Sequence, residues 1–183
     1  MRLFAALDLP EPVRTTLAAW AASQVGRDER LRLVEPDSLH VTLVFLGERP
    51  DPDAATTALH AALDPPPPAP PLVIDGPLWL APRRPHVLTV ALEDPSGGLT
   101  RIHEAVLEAM VRSAGHEAEG RRLRPHVTVA RVRGRLRPFE LTSPAPLEFR
   151  PSAVTLYQSV LGRGRVGSVS YEPVASVPLS TLP

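Results

Sequence analysis

Hydrophobic and polar residues alternate with period two over several short stretches of the chain, which is the pattern of β-strands with one buried face. Other stretches repeat apolar residues three and four positions apart and therefore predict helices. The predicted strands are Leu3–Leu9, Leu31–Val34, Leu39–Leu46, Leu72–Leu80, Val87–Leu92, one within Leu123–Arg131, Leu147–Phe149, Ala153–Leu161 and Val169–Val174. The predicted helices run from Pro10 to about Val25, from Asp51 to near Leu63 and from Leu99 to Ala114.

One pattern occurs twice among these alternating stretches, as His40-Val41-Thr42-Leu43 and, in the second half, as His126-Val127-Thr128-Val129. Residues i and i+2 of a strand face the same side, so each copy is predicted to present an imidazole and a hydroxyl side by side. The intervening Val41, Leu43 and Phe45 are predicted to enter a core. A strand with a polar exposed face would explain one copy. Two copies suggest a duplicated unit whose halves face each other across a cleft.

Two imidazoles in one cleft can serve as general acid and general base together, because an unperturbed ring titrates near pH ~6.5. A neutral ring accepts the proton of an attacking oxygen, and a protonated ring donates to a leaving oxygen on the other side of phosphorus. Thr42 and Thr128 can donate hydrogen bonds to phosphate oxygens, and the guanidinium of Arg131 matches phosphate geometry. Strict alternation puts Arg131 on the face opposite His126, so it reaches the cleft only through a bulge or at the strand's end.

These residues resemble the paired His-x-Thr motifs of the 2H phosphoesterase superfamily. The flanking sequences narrow the resemblance to the bacterial and archaeal RNA 2′,3′-cyclic phosphodiesterases, historically called 2′-5′ RNA ligases. Arg2–Pro10 is similar to the opening strand of that family, Leu39–Gly47 to its first motif and Arg124–Arg131 to its second. Leu156–Ser159 and the Gly-Arg turn before Tyr171 resemble its closing hairpin.

The resemblance implies an α+β fold with two pseudo-symmetric lobes, in which two antiparallel sheets flanked by helices surround a central cleft. Residues 1–183 would form a single bilobal catalytic domain with an internal duplication. The resemblance also implies metal-independent hydrolysis of a 2′,3′-cyclic phosphate, on RNA or a nucleoside, to a 2′-phosphomonoester, with no cofactor. By the same resemblance, His40 is the proton donor and His126 the proton acceptor, while Thr42, Thr128 and Arg131 bind the phosphate.

One position departs from that family. Its members frequently carry a Trp on the strand before the central helix, where this chain has His86-Val87-Leu88-Thr89. Base contacts are therefore expected to come from other residues or to be weaker. Two alternatives stay open: a 2H phosphoesterase acting on another ester, such as a 2′-5′ oligonucleotide or an ADP-ribose cyclic phosphate, and a non-catalytic protein that binds RNA ends. Intact copies of both motifs argue against the second.

Composition excludes several other classes. All 20 basic residues are Arg, and without Lys the chain cannot be a ligase that stores AMP on Lys or a Walker-type phosphate binder. Cys is absent as well, which excludes disulfides and thiolate metal sites. No metal site is expected from the 6 His, because each motif supplies one imidazole. No apolar run approaches a membrane span, so a cytoplasmic protein is predicted, and because the chain completes its own site we expect a monomer.

The formal net charge is zero, but the basic residues are unevenly distributed. The stretch from Arg121 to Arg165 contains ten Arg and only two acidic residues, Glu140 and Glu148. A basic half around one motif fits a polyanionic partner such as an RNA end. A solvated Arg-rich surface would explain the same count. Among the other histidines, His86 is the only further candidate for the cleft.

Overall fold

The computed structural model describes residues 1–25, 28–48, 51–117, 122–161 and 169–181. The α-helices in these ranges are α1 (Glu11–Val25), α2 (Asp53–Ala62) and α3 (Gly98–Ala114), and a short 3-10 helix spans Pro36–Ser38. The strands are β1 (Arg2–Asp8), β2 (Leu31–Leu33), β3 (His40–Glu48), β4 (Leu72–Leu80), β5 (Val87–Glu93), β6 (His126–Val132), β7 (Glu148–Phe149), β8 (Ala153–Leu161) and β9 (Val169–Pro178). Every predicted element in these ranges is present, and β9 continues further than predicted. The Gly-Arg turn predicted before Tyr171 lies outside the described residues.

The strands form one antiparallel sheet in the order β7-β4-β5-β6-β3-β1-β8-β9, with β2 paired to β6. The sheet has two lobes, and they join where β3 meets β6. These two strands pair at a single position, Val41 opposite Val127. The predicted α+β fold with two lobes is confirmed, and the two predicted sheets are halves of one continuous sheet.

The helices cover both lobes: α2 and α3 cover one lobe, and α1 covers the other. α2 and α3 pack against each other, and they cover β3, β8 and β9. α1 follows β1 in the chain but packs against β2 and β6 of the other lobe. Its buried residues follow a four-residue spacing: Val13, Leu17, Ala21 and Val25. None of the helices in the described part of the chain is long and apolar enough to cross a membrane.

A one-residue bulge interrupts β3 directly after its motif. Thr42 and Val44 pair with adjacent residues of β1, so Leu43 is the extra residue. An extra residue reverses which face the following side chains occupy. The prediction that Phe45 enters the core is therefore wrong, because beyond the bulge its side chain is 44% exposed.

The second motif strand has the same irregularity at the equivalent position. Thr128 and Ala130 pair with adjacent residues of β5, so Val129 is the extra residue in β6. Arg131 lies beyond this bulge and is exposed. The bulge that Arg131 needs in order to share a face with His126 is therefore present.

At each bulge, the carbonyl of the extra residue accepts a hydrogen bond from a group outside the strand pair that contains the bulge. The carbonyl of Leu43 lies 3.1 Å from Nδ1 of His103 on α3. Since a carbonyl oxygen only accepts, the His103 ring must carry its proton on Nδ1. The carbonyl of Val129 accepts from the N–H of Val34 at 2.9 Å. Both bulges are therefore fixed by specific donors.

Replacing His103 with Leu should lower the free energy of unfolding by about 1–3 kcal/mol, because the Leu43 carbonyl would lose its donor in a partly buried position. The shift of the urea midpoint, followed by circular dichroism, measures this loss. His60→Leu, on an exposed position of α2, is the matched control and should change the stability by less than about 0.5 kcal/mol. Equal shifts in the two variants would show that this hydrogen bond does not hold the bulge.

Candidate active site

His40 begins β3, and both of its ring nitrogens have partners. Nδ1 lies 2.8 Å from the carbonyl oxygen of Ser38, so the proton of the neutral ring is on Nδ1. Nε2 lies 3.1 Å from Oγ1 of Thr42 and accepts a hydrogen bond from that hydroxyl. The predicted pairing of imidazole and hydroxyl on one face is present, and its two members are in direct contact.

His126 begins β6 and is held in the same way. Its Nδ1 lies 2.7 Å from the carbonyl oxygen of Arg124, two residues upstream. This bond fixes the same tautomer as in His40, so Nε2 is the nitrogen left for proton transfer. Both imidazoles are thus oriented by backbone carbonyls rather than by carboxylates.

Aromatic rings surround His40, and sequence reasoning assigned no role to them. The ring of Phe4 is 4.9 Å from the imidazole centroid, and Tyr171 meets it edge-on at 5.2 Å. Tyr157 stacks on Phe4 with ring centroids 5.5 Å apart, and its own centroid is 6.3 Å from that of His40. The sequence offered one signal for their role. Few of this chain's residues are aromatic, and these rings lie in predicted strands near the motif.

An acidic group anchors this aromatic cluster. The carboxylate of Asp8 accepts hydrogen bonds from the hydroxyl of Tyr157 at 2.8 Å and from Oγ1 of Thr155 at 2.7 Å. Burial, together with the bond to Asp8, raises the pKa of Tyr157. The phenol therefore stays protonated and donates, and its ring is held beside Phe4 and His40.

The apolar surroundings determine the charge of His40. Burial lowers the pKa of His40 to about 4, although the hydrogen bond to the Ser38 carbonyl opposes this shift. The positive charges of Arg131 and His126 lower the pKa of His40 further. At neutral pH the ring of the ligand-free protein is consequently neutral. An anion between these groups would have the opposite effect and favour the protonated ring.

Four of the five predicted site residues line one cleft of about 880 Å³: His40, Thr42, Thr128 and Arg131. Arg131 reaches it because of the bulge at Val129, and its Nη2 donates to the hydroxyl of Tyr171 at 3.0 Å. That bond connects the second motif strand to β9 in the other lobe.

The fifth residue, His126, lines a neighbouring cavity of about 730 Å³. Thr42 and Phe45 belong to the walls of both cavities. The two imidazoles therefore line adjoining cavities, whose common lining contains the Thr42 hydroxyl and the exposed Phe45 ring. This placement suits a phosphorus centre attacked from one side and released from the other.

The remaining basic and imidazole groups are dispersed. His86 is exposed and is not among the residues that line the cleft. Arg122 and Arg124 line the cavity of His126, whereas Arg150 donates to the backbone carbonyl of Ala69. Three of the ten Arg counted in the basic half lie outside the described residues: Arg121, Arg163 and Arg165.

Comparisons with known proteins identify the family of this chain. A model of the 2′-5′ RNA ligase superfamily matches residues 9–163. The RNA 2′,3′-cyclic phosphodiesterase of Escherichia coli K12 is 30% identical over 167 residues, which is 90% of each chain. The protein of the same name from Thermus thermophilus is 49% identical over 51 residues, or 28% of this chain and 25% of its own.

The fold matches over nearly its full length as well. The crystal structure of Escherichia coli LigT complexed with 3′-AMP superposes with a TM-score of 0.80, at 28% sequence identity and with 98% of each chain covered. The family match includes both motif strands, β3 and β6. This chain belongs to the 2′-5′ RNA ligase superfamily.

Proposed function

We propose that this protein is an RNA 2′,3′-cyclic phosphodiesterase, which opens the cyclic phosphate of an RNA end or a nucleoside to a 2′-phosphomonoester without a metal ion or cofactor. The observation that carries the proposal is the pair of imidazoles, each oriented through Nδ1 by a carbonyl two residues upstream. The Escherichia coli relative that bears this enzyme name supports it, as does a structural neighbour crystallised with a nucleotide.

The proposed reaction is an in-line displacement at phosphorus. Nε2 of His126 takes a proton from water, and the water oxygen forms the new bond to phosphorus. The bond from phosphorus to the 3′ oxygen breaks, and Nε2 of His40 supplies the proton that this oxygen needs. The 2′ ester stays intact. Thr42 and Thr128 donate to the non-bridging oxygens, whose negative charge is balanced by Arg131.

Substrate binding and protonation of His40 are coupled in this scheme. In the ligand-free protein, Nε2 of His40 carries no proton, and its lone pair accepts a hydrogen bond from the Thr42 hydroxyl. Once protonated, that nitrogen no longer accepts, and the Thr42 hydroxyl becomes available to the phosphate. The phosphate anion favours the same protonation, because an opposite charge stabilises the imidazolium.

We also propose that residues 1–183 are a single bilobal catalytic domain with an internal duplication. The repeated bulge after each Thr and the repeated bond from Nδ1 to a carbonyl support this. Since every proposed site residue comes from one chain, we propose that the protein acts as a monomer. An RNA substrate makes the cytoplasm the proposed location.

The proton coupling predicts the titration of one imidazole. In the ligand-free protein, the ring signal of His40 should titrate near pH 4, as burial dictates, and saturating adenosine 2′-monophosphate should raise that midpoint. Proton NMR of the imidazole signals measures both values, and His40→Asn assigns the signal by its loss. A ligand-free midpoint at or above the ordinary value of about 6.5 would contradict the buried, neutral state.

Each imidazole should be essential for turnover. His40→Ala and His126→Ala should each reduce kcat by roughly 10²- to 10⁴-fold, since each removes one proton-transfer group. Hydrolysis of adenosine 2′,3′-cyclic phosphate with EDTA present is the assay, and thermal unfolding checks that each variant is folded. His86→Ala, at an exposed position outside the cleft, is the matched control and should keep full activity. Near-normal turnover in either motif variant would show that the acid–base assignment is wrong.

The position of the released phosphate reports which oxygen leaves. Protonation of the 3′ oxygen leaves the phosphate on the 2′ position, so adenosine 2′-monophosphate should be the product. Phosphorus NMR or chromatography against both standards distinguishes it from the 3′ isomer. A 3′ product would retain the imidazole pair but reverse the placement of the ribose. Loss of all turnover in EDTA would argue for a metal-dependent reaction instead.

A further inference from the structure

We propose that Tyr157 and Thr155 are positioning residues for the acidic neighbour of His40. Their hydroxyls hold the carboxylate of Asp8 away from the imidazole, so that the substrate phosphate is the anion that stabilises a proton there. This inference rests on the proposed function, because it concerns the step in which His40 acquires its proton. Asp8 ends β1 and pairs with His40 at the start of β3. Directly paired residues share a face of the sheet, with Cβ atoms about 5 Å apart.

The Asp8 carboxylate is close enough to act on the imidazole but is bonded to other groups. An anion within about 4–6 Å of a His ring favours the protonated form of that ring. Oδ1 of Asp8 accepts instead from the hydroxyl of Tyr157 at 2.8 Å, and Oδ2 accepts from Oγ1 of Thr155 at 2.7 Å. The two imidazole nitrogens contact the Ser38 carbonyl and the Thr42 hydroxyl.

The bond from Thr155 is part of a chain of hydroxyls that crosses three strands. Thr155 is only 2% exposed, and its Oγ1 also lies 2.8 Å from Oγ of Ser176 on β9. A hydroxyl has one proton to donate. Since Thr155 gives its proton to Asp8, Ser176 is the donor to Thr155. The chain therefore runs from β9 through β8 to β1 and ends on the carboxylate.

The bond from Tyr157 connects the carboxylate to the rings around His40. The ring of Tyr157 stacks on Phe4, which in turn lies 4.9 Å from the imidazole centroid. Burial and the bond to Asp8 raise the pKa of Tyr157, so its hydroxyl remains a donor. Neither the carboxylate nor its two donors line the cleft or the neighbouring cavity. All three groups therefore act through His40 and not on the substrate.

The neighbours of His40 on the other strands are cationic or neutral. Burial is the largest cause of the low pKa of His40, about 4, and the positive charges of Arg131 and His126 on β6 lower it further. Tyr171 on β9 meets the imidazole edge-on, and its hydroxyl accepts from Arg131. Among these neighbours, Asp8 is the one that carries a negative charge. Its release would therefore oppose the low pKa of His40.

The nearby cation of α1 is paired with a different acid. The positive charge of Arg14 acts on Tyr157, but its Nη1 lies 3.4 Å from Oδ1 of Asp37. Within the described part of the chain, Asp8 forms no ion pair and is held by two neutral hydroxyls. Removing one hydroxyl thus frees the carboxylate without leaving a cation unpaired.

The test removes one donor and follows the imidazole. Tyr157→Phe keeps the ring that stacks on Phe4 and deletes only the hydroxyl. The freed carboxylate should raise the titration midpoint of His40 in the ligand-free protein by about one pH unit or more, because an opposite charge stabilises the imidazolium. Proton NMR of the imidazole signals measures the shift. Thr155→Val removes the other donor at nearly constant shape and should raise the midpoint as well.

The double variant Asp8→Asn/Tyr157→Phe is the matched control, because the group that it frees has no charge. Its midpoint should return close to the wild-type value near pH 4. Looser packing would act differently: it would admit water to His40 and raise the midpoint equally in the single and the double variant. Such an equal rise, or no rise in Tyr157→Phe, would overturn the proposal.

The titration separates this proposal from the proposed function, since it needs no turnover. Absence of 2′,3′-cyclic phosphate hydrolysis by the wild type would end the proposed function, whereas a rise in Tyr157→Phe that Asp8→Asn abolishes would still show that the hydroxyls hold the carboxylate away. Normal hydrolysis with an unchanged midpoint in Tyr157→Phe would overturn the positioning role alone. A wild-type midpoint that saturating adenosine 2′-monophosphate does not raise would also overturn the proposal, because the phosphate would then not be the stabilising anion.

Discussion

The pairing of Val41 with Val127 is the constraint on which the active site depends. It joins β3 to β6 at one position, and both side chains are fully buried. Each valine is flanked by the His and the Thr of its motif, so this one pair brings two imidazoles and two hydroxyls together. On either side of it the strands diverge, and the space between the lobes becomes the cleft. A more extensive ladder between β3 and β6 would close that space.

The two bulges then determine which further residues reach the cleft. Each follows its Thr by one residue, and each is fixed by an external donor to its carbonyl, the His103 ring or the Val34 N–H. The donors differ in kind, a side chain in one lobe and a backbone group in the other. The positions of the bulges relative to the motif Thr are nevertheless the same in both strands.

Much of this arrangement could be predicted from sequence. Period-two alternation located the motif strands, and the strand rule that residues i and i+2 share a face correctly paired His40 with Thr42. The same rule failed at Phe45, because a bulge depends on pairing with β1, which no local pattern encodes. The pKa of His40 was equally beyond local sequence, because Phe4, Tyr157 and Tyr171 lie far from it in the chain and meet it only in the folded sheet.

The two lobes repeat the same arrangement of the motif strand but carry different side chains on it. Phe45 and Arg131 occupy equivalent places, three residues after the motif Thr and just beyond the bulge. One lobe therefore contributes an apolar ring at the position where the other contributes a cation. Rings also surround His40, whereas Arg122 and Arg124 line the cavity beside His126. Two imidazoles that are oriented in the same way are thereby given different surroundings, and burial among the rings lowers the pKa of His40.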